Sequence, residues 1–365
     1  GLVLDAPGSK HSSLHANALP LCFGMLPEAN AAKALELIRA KRLSCGVYIA
    51  PFVIRACFQA GDPELGYDLI TSKDEHSWHE MLKHGATTCM EAWGPDQKWN
   101  TSWCHPWSSG PIFLVAEEVF GLRPAQPGWR TVGFAPRLPE SLEHIALTIP
   151  TRWGSIRASY RKGEGYTLTV PPGVEVQSDV DGLTLERDDA VAEAQQQVLA
   201  ANGWAQHVGD TLGVWVSIPE QRLRLIQGGR LLWQVPCSTA ANGPGCEKDS
   251  YKTPTGWHAV AAKIGDGAPW GQIFEAREPT GLWRPGADTE KDLVLTRVIT
   301  IEGLEPGKNR GGHVDTRDRY VYIHGTNDEE HIGWPASQGC IRLTNDDVID
   351  AFKRIPQSAP VLITP

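Results

Sequence analysis

The spacing of the apolar residues changes from helical to alternating after Gly128-Trp129, and that change rules out a fold of a single class. From Pro27 to about Phe120 the spacing is helical: Leu35, Leu37 and Ile38 follow Pro27 at a first-turn position. Val53, Ile54, Cys57 and Phe58 come next, and Leu69 and Ile70 follow Asp62-Pro63. Glycines at 46, 61, 85 and 110 punctuate the run, so paired helices with short turns are expected. After Gly128-Trp129 the period becomes two, with Ile145, Leu147 and Ile149, then Ile156, Ala158 and Tyr160, then a Gly163-Glu164-Gly165 turn before Tyr166, Leu168 and Val170. That alternation predicts a small β-sandwich, and the fold class expected of the whole is multidomain, α plus β.

Residues 171–211 hold a Pro-Pro-Gly, a mixed acidic stretch (Glu186, Asp188, Asp189) and a short Ala/Gln-rich helical piece, and read as a linker. Alternation resumes at Val214, Val216 and Ile218, passes through Leu223 and Leu225, and turns at Gly228-Gly229 into Leu231, Trp233 and Val235, a β-meander. The loops between 262 and 293 exceed ordinary connections and are expected to form a substrate-covering lid, with Trp270, Trp283 and Trp334 as cleft or packing residues. A helix is expected from Asn345 to Arg354, with Val348, Ile349 and Phe352 on one face.

Composition narrows the function classes. With 365 residues, 41% hydrophobic, the chain is long enough for two or three domains with real cores. A formal net charge of −9 and the lack of any Lys/Arg-rich run argue against a nucleic-acid partner. The eight cysteines (22, 45, 57, 89, 104, 237, 246 and 340) show no Cys-x-x-Cys spacing, so no metal site and no thioredoxin-type site is expected, and most read as core residues. No apolar run reaches the length of a transmembrane helix, and the first residues lack the basic-then-apolar layout of a signal peptide.

The chemistry concentrates between residues 320 and 343. A strand pattern, Tyr320-Val321-Tyr322-Ile323, ends in His324-Gly325-Thr326, and a polar loop leads to Ser337-Gln338-Gly339-Cys340-Ile341-Arg342-Leu343. A cysteine becomes a strong nucleophile when a base takes its proton, which nominates Cys340 with His324. Gly339 lets the backbone turn so that amides face a developing oxyanion, and Gly325 is expected to leave room for the His324 ring. Ser337 and Arg342 are expected to fix the loop and to offer a donor or charge to a substrate carboxylate, beside Tyr322 and Gln338.

These residues, with Thr253-Pro254-Thr255-Gly256-Trp257 and Leu295-Thr296-Arg297 upstream, resemble the L,D-transpeptidase catalytic (YkuD-like) domain over roughly residues 212–365. The resemblance implies a thioester on Cys340, His324 as base, peptidoglycan stem peptides as substrate, and a location in the periplasm or cell envelope. It implies no cofactor. The family carries a second histidine directly before its Gly-Cys pair; Gln338 stands there in this chain, a departure that bears on substrate positioning or pH behaviour.

A second constellation lies in the first half. Five tryptophans crowd between Trp78 and Trp107, interleaved with Glu91, Asp96 and His105; aromatic planes beside carboxylates make either a sugar-binding surface or a Trp-rich core. Ser13-Leu14-His15-Ala16-Asn17-Ala18, Gly85-Ala86-Thr87-Thr88-Cys89-Met90-Glu91-Ala92-Trp93 and Cys104-His105-Pro106-Trp107-Ser108 resemble the C-terminal half of the α-L-rhamnosidase family of inverting glycoside hydrolases. The resemblance implies a partial α/α toroid over 1–126, a β-sandwich over 127–170, Glu91 as general base, Trp93, His105 and Trp107 in a sugar subsite, and a rhamnose-containing glycan as partner. Inverting hydrolysis needs a second carboxyl as acid. The acidic segment from which the family supplies it has no counterpart here, so the alternatives to acyl transfer are a glycosidase completed by another chain and a carbohydrate-binding remnant.

Overall fold

The computed structural model describes residues 1–287 and 291–365. They form two compact units, one of residues 1–149, 156–169 and 174–186, the other of residues 150–155, 170–173 and 187–365.

The first unit begins with α1 (Leu14–Cys22), α2 (Glu28–Lys41), α3 (Ala50–Gln59), α4 (Pro63–Thr71) and α5 (Trp78–Lys83). Three of the helix starts are capped by side chains: Ser13, Asp62 and Ser77 accept from the backbone N–H three residues on. Helix α3 is the centre of the packing, burying Val53, Ile54, Cys57 and Phe58 in a core with Leu14, Ile38 and Leu69. The expected helical run stops at Lys83, however. Residues 84–109 are irregular apart from two single 3-10 turns, Pro95–Gln97 and Pro106–Ser108, each opened by a proline at the first position, where a helical turn uses no N–H. A short α6 (Gly110–Leu114) runs into a π-helical turn, Val115–Val119.

That turn carries Glu118, which has no exposed surface and accepts from Arg55 Nε (2.7 Å), Arg123 Nη2 (2.6 Å) and Arg137 Nη2 (2.5 Å). One carboxylate thus ties helix α3 to the strands that follow. Those strands are β1 (Leu122–Pro124), β2 (Thr131–Phe134), β3 (His144–Thr151), β4 (Gly154–Arg161), β5 (Gly165–Val170), β6 (Glu175–Gln177) and β7 (Thr184–Arg187). They form a three-stranded sheet, β1-β2-β6, and a four-stranded sheet, β3-β4-β5-β7.

The expected linker is a correction. Strands β6 and β7 complete these sheets, and within the second unit α7 (Glu193–Ala201) and α8 (Trp204–His207) bury Leu199, Trp204 and Val208 with Trp215, Ile226 and Trp257. The polar composition of 171–211 hid a few large apolar anchors, and these decide its packing.

The second unit is built on a ten-stranded sheet. Its strands are β8 (Leu212–Ser217), β9 (Arg222–Gln227), β10 (Arg230–Pro236), β11 (Gly256–Ile264), β12 (Gln272–Glu275), β13 (Glu278–Leu282), β14 (Val294–Gly303), β15 (Tyr322–Gly325), β16 (Ile341–Leu343) and β17 (Pro360–Thr364). The path is β10-β9-β8-β17-β11-β14-β12-β13, with β15 on β14 and β16 on β15. The meander β8-β9-β10 and helix α9 (Asn345–Arg354) lie where their patterns place them. The stretch expected as lid loops contains the hairpin β12-β13, whose first strand joins β14; residues 288–290 of that stretch lie outside the described residues.

Candidate active site

Strand β14 sets the site. Its ladder with β15 is bulged between Leu295 and Val298, with Thr296 at φ +69°, and β15 then pairs in parallel with β16. His324 stands opposite Arg342 and Ile323 opposite Ile341, which puts Cys340, one residue before β16, beside Tyr322. Period-two alternation therefore gives His324 and Cys340 the same face of the sheet, one diagonal step of about 8 Å between Cα atoms.

Cys340 is half-buried, and its sulfur is held at the backbone: Tyr322 N–H donates to Sγ (3.4 Å) and Sγ donates to Tyr320 O (3.5 Å). Among the described residues no hydrogen bond joins Sγ to His324. The buried imidazole is instead fixed through Nδ1, 2.7 Å from Gly325 O. A carbonyl oxygen only accepts, so Nδ1 carries the proton and Nε2 the lone pair.

Burial dominates the electrostatics. It pushes the Cys340 thiol up to about 11, a rise that Asp292 reinforces and that the Tyr322 N–H, Arg342 and Arg319 oppose. Burial also lowers His324, against the raising effects of Gly325 O and Asp292. At neutral pH the resting pair is therefore thiol and neutral imidazole. Three of the buried cysteines, Cys45, Cys57 and Cys237, are driven to about 12 by burial with no N–H opposing at the sulfur beyond Cys57's own backbone.

The loop before Cys340 is braced by small hydroxyls. Ser337 Oγ accepts from Gly339 N–H (3.2 Å) and donates to Cys340 O (2.6 Å), and Thr253 Oγ1 donates to Gly339 O (3.0 Å). Gly339 sits at φ +128°, where a side chain would be strained. Ser337 thereby occupies the Gly339 N–H, which is not free to face an oxyanion in this structure.

Two expected roles change. Arg342 is buried, and its guanidinium is taken by Asp328 (2.9 Å), Asp292 (3.3 Å) and Ala336 O, with only Nε unpartnered. It fixes the loop, but its charge is already matched by two carboxylates, so it is not a free partner for a substrate carboxylate. A Cβ on Gly325 would lie 2.5 Å from Asn345 Oδ1 and 2.8 Å from Leu295 O, so this glycine makes room for helix α9 and β14 and not for the His324 ring. Gln338 is exposed and lines a polar cavity of about 400 Å³ with Asp292, Asp328 and Arg342. Asp328, Glu330 and His331 there bring potential ligand atoms within 4.8 Å of one another, but Asp328 is already engaged by Arg342 and His331.

A second cavity, about 330 Å³, is lined by Tyr320, Tyr322, Phe274 and Arg277 among others. Arg277 and Tyr320 were not legible as site residues, since Arg277 sits in a Glu-Ala-Arg-Glu stretch without turn residues. The backbone carbonyl that orients His324 has no side-chain signature at all.

In the first unit Glu91 is clamped by Lys98, and its Oε2 accepts from Ser102 N–H (3.2 Å). The Lys98 hydrogen bond, followed by that of Ser102, lowers its pKa. His105 Nε2 lies 3.9 Å from Glu91, and its Nδ1 is buried without a partner. Trp107 is about half exposed, tilted against His105 and Tyr48. Trp93 corrects the expectation: it is 1% exposed, donates to Cys45 O (2.7 Å) and packs edge-on to Trp78, so it belongs to the core and not to a sugar surface.

The family model for the L,D-transpeptidase catalytic domain matches residues 212–363, that for the bacterial alpha-L-rhamnosidase 6 hairpin glycosidase domain residues 5–119, and that for the bacterial alpha-L-rhamnosidase C-terminal domain residues 121–195. The probable L,D-transpeptidase ErfK/SrfK of Salmonella typhimurium is 28% identical over 266 residues, covering 69% of this chain and 72% of that protein. The putative L,D-transpeptidase YqjB of Bacillus subtilis is 51% identical over 74 residues, 19% of this chain and 42% of that protein. An alpha-L-rhamnosidase of Formosa agariphila is 25% identical over 196 residues, 49% of this chain but only 21% of that protein. The chain therefore resembles L,D-transpeptidase catalytic domains in its C-terminal half and, in its N-terminal half, the six-hairpin and C-terminal domains of bacterial α-L-rhamnosidases.

Proposed function

We propose that the C-terminal half is a cysteine-dependent L,D-transpeptidase acting in the cell envelope on peptidoglycan stem tetrapeptides. The observation that carries this reading is the shared face of Cys340 and a neutral His324 whose Nδ1 is locked on Gly325 O, leaving Nε2 as the only basic atom of the pair.

In the first step Nε2 takes the thiol proton as Sγ leaves its backbone partners and bonds to the carbonyl carbon between the diamino acid and the terminal D-Ala. The Cys340 N–H donates to the oxyanion. The C–N bond then breaks, the imidazolium gives its proton to the departing D-Ala amine, and a thioester remains on Cys340. An acceptor amine, of a second stem or of a protein, attacks the thioester and yields its proton to Nε2. The C–S bond breaks and the sulfur regains a proton. Water is the slower acceptor.

The geometry of the first unit does not favour glycoside hydrolysis, since Glu91 is paired to Lys98 and Trp93 is buried. The test is exposure of the protein to a carbapenem followed by peptide mapping. The expected result is one covalent adduct, on Cys340, lost in Cys340→Ala. Exposed Cys104 serves as an internal control for indiscriminate labelling. An intact protein with no adduct, or with its adduct on another cysteine, refutes the reading.

A further inference from the structure

The cavity on the Tyr322 side of Cys340 is apolar except at one point. Phe274, Val294, Val298, Tyr320 and Tyr322 form its wall, and Arg277 is the charged group among its lining residues. Cys340 packs against the cluster of Phe274, Val298 and Tyr322, three of the residues that line the cavity, and the two tyrosines that line it supply the backbone groups holding Sγ.

Arg277 reaches this cavity through a turn that its sequence does not favour. Glu275 pairs with Glu278 across a two-residue connection, with Ala276 at φ +49° and Arg277 at φ +74°. Both central residues of such a turn need positive φ, the reason Asn-Gly is usual there. An Ala-Arg pair in that backbone points to a role for the side chain that outweighs turn preference.

The guanidinium is held in place but not neutralised. Its Nε donates to Tyr322 OH (2.9 Å) and its Nη2 to Arg317 O (3.1 Å), and it lies over the rings of Tyr320 (4.9 Å) and Tyr322 (5.6 Å). Among the described residues it has no ion-pair partner, and Glu275 and Glu278 at the ends of the turn do not supply one. Arg342, by contrast, has its charge matched by the carboxylates of Asp328 and Asp292. A fixed, unpaired guanidinium at the edge of an apolar cavity is a preorganised fork for a carboxylate.

We infer that Arg277 is the carboxylate-binding residue of the donor subsite: the cavity beside Cys340 takes a ligand whose terminal carboxylate meets the Arg277 guanidinium while its reacting carbon faces the sulfur. The inference rests on the acyl-transfer reading for the identity of the donor, a peptide ending in a free carboxylate, but not for the carboxylate subsite itself.

Two small alkylating reagents separate the two. Iodoacetate and iodoacetamide both form an S–C bond with loss of iodide and differ only in carrying a carboxylate or an amide. Their rates at Cys340 are read by mass spectrometry of its peptide and expressed as a ratio, normalised to the same ratio for N-acetylcysteine. The expected normalised ratio favours iodoacetate by about tenfold or more in the native chain, corresponding to a charge-assisted hydrogen bond. It should fall to about one in Arg277→Gln, and Arg277→Lys and Tyr322→Phe should keep part of it. A ratio near one in the native chain, or one unchanged in Arg277→Gln, overturns the inference. With stem-peptide donors, Arg277→Gln should lower kcat/KM for the free carboxylate by about tenfold more than for its carboxamide. If no donor turns over and no carbapenem adduct forms while the reagent ratio behaves as expected, the acyl-transfer reading falls and the carboxylate subsite stands. If adducts form on Cys340 but the ratio ignores Arg277, the reverse holds.

Discussion

Replacing His324 with alanine should alter the shape of the pH profile as well as the rate. With the Cys340 thiol pushed up to about 11, only about 3 × 10⁻⁴ of it is thiolate at pH 7.5, by one decade per pH unit below the pKa. The native chain avoids that deficit if Nε2 removes the proton during attack. Its acylation rate should then rise as His324 loses its proton, below the ordinary value of about 6.5 because burial lowers it, and stay flat from about pH 7 to 9. In His324→Ala the rate should drop by about 10²–10³ at pH 7.5, within the range of a lost general base, and climb tenfold per pH unit toward about pH 10. The assay is the second-order rate constant of carbapenem acylation, followed by intact mass, with circular dichroism to check the fold. The reasoning is refuted if both proteins show the same slope, or if the native profile follows one ionisation between pH 8 and 9.

Two further outcomes concern stability. Glu118→Gln leaves three guanidinium groups around an uncharged side chain and should cost about 3–5 kcal/mol in urea unfolding followed by helix signal, against near-neutrality for a surface Glu such as Glu164. His258 is fully buried between Gly256 O (3.0 Å) and Thr316 Oγ1 (3.1 Å), and burial lowers it to about 4. Its folded value lies below the unfolded one of about 6.5, so its contribution is complete above pH 6.5 and lost as pH falls toward 4. Between pH 7 and 4.5 this amounts to about 2.5 kcal/mol. His258→Gln should remove that much of the acid sensitivity measured by urea unfolding, and an identical acid response in the two proteins contradicts the assignment.

Much of the second unit was legible because its signals are local. The alternation of Val214 to Val235 and the amphipathic face of 345–354 each follow from neighbours within a dozen residues, and so does the Ser-x-Gly-Cys turn with its hydroxyl brace. The first unit was less transparent between residues 84 and 109, where apolar residues at helical spacing sit among prolines and glycines and fold as irregular chain around the buried Trp93. Trp93 and Trp107 look alike in sequence; one ends in the core because the Cys45 carbonyl and Trp78 receive it, the other stays half-exposed. Arg342 and Arg277 pose the same problem in the candidate site. The motif drew attention to Arg342, which two aspartates neutralise, and nothing local marked Arg277, whose cavity is assembled from β12, β14 and β15.

Sequence by itself nominated Cys340 and His324 as the proposed nucleophile and base, and determined the period of most elements and the two families that the halves resemble, since these depend on residue type and short-range spacing. Only the tertiary structure decided the proton's place on His324, the acidity of Cys340 and which arginine remains unpaired. Each of those depends on burial and on strand register between segments that are far apart along the chain, and no local pattern records either.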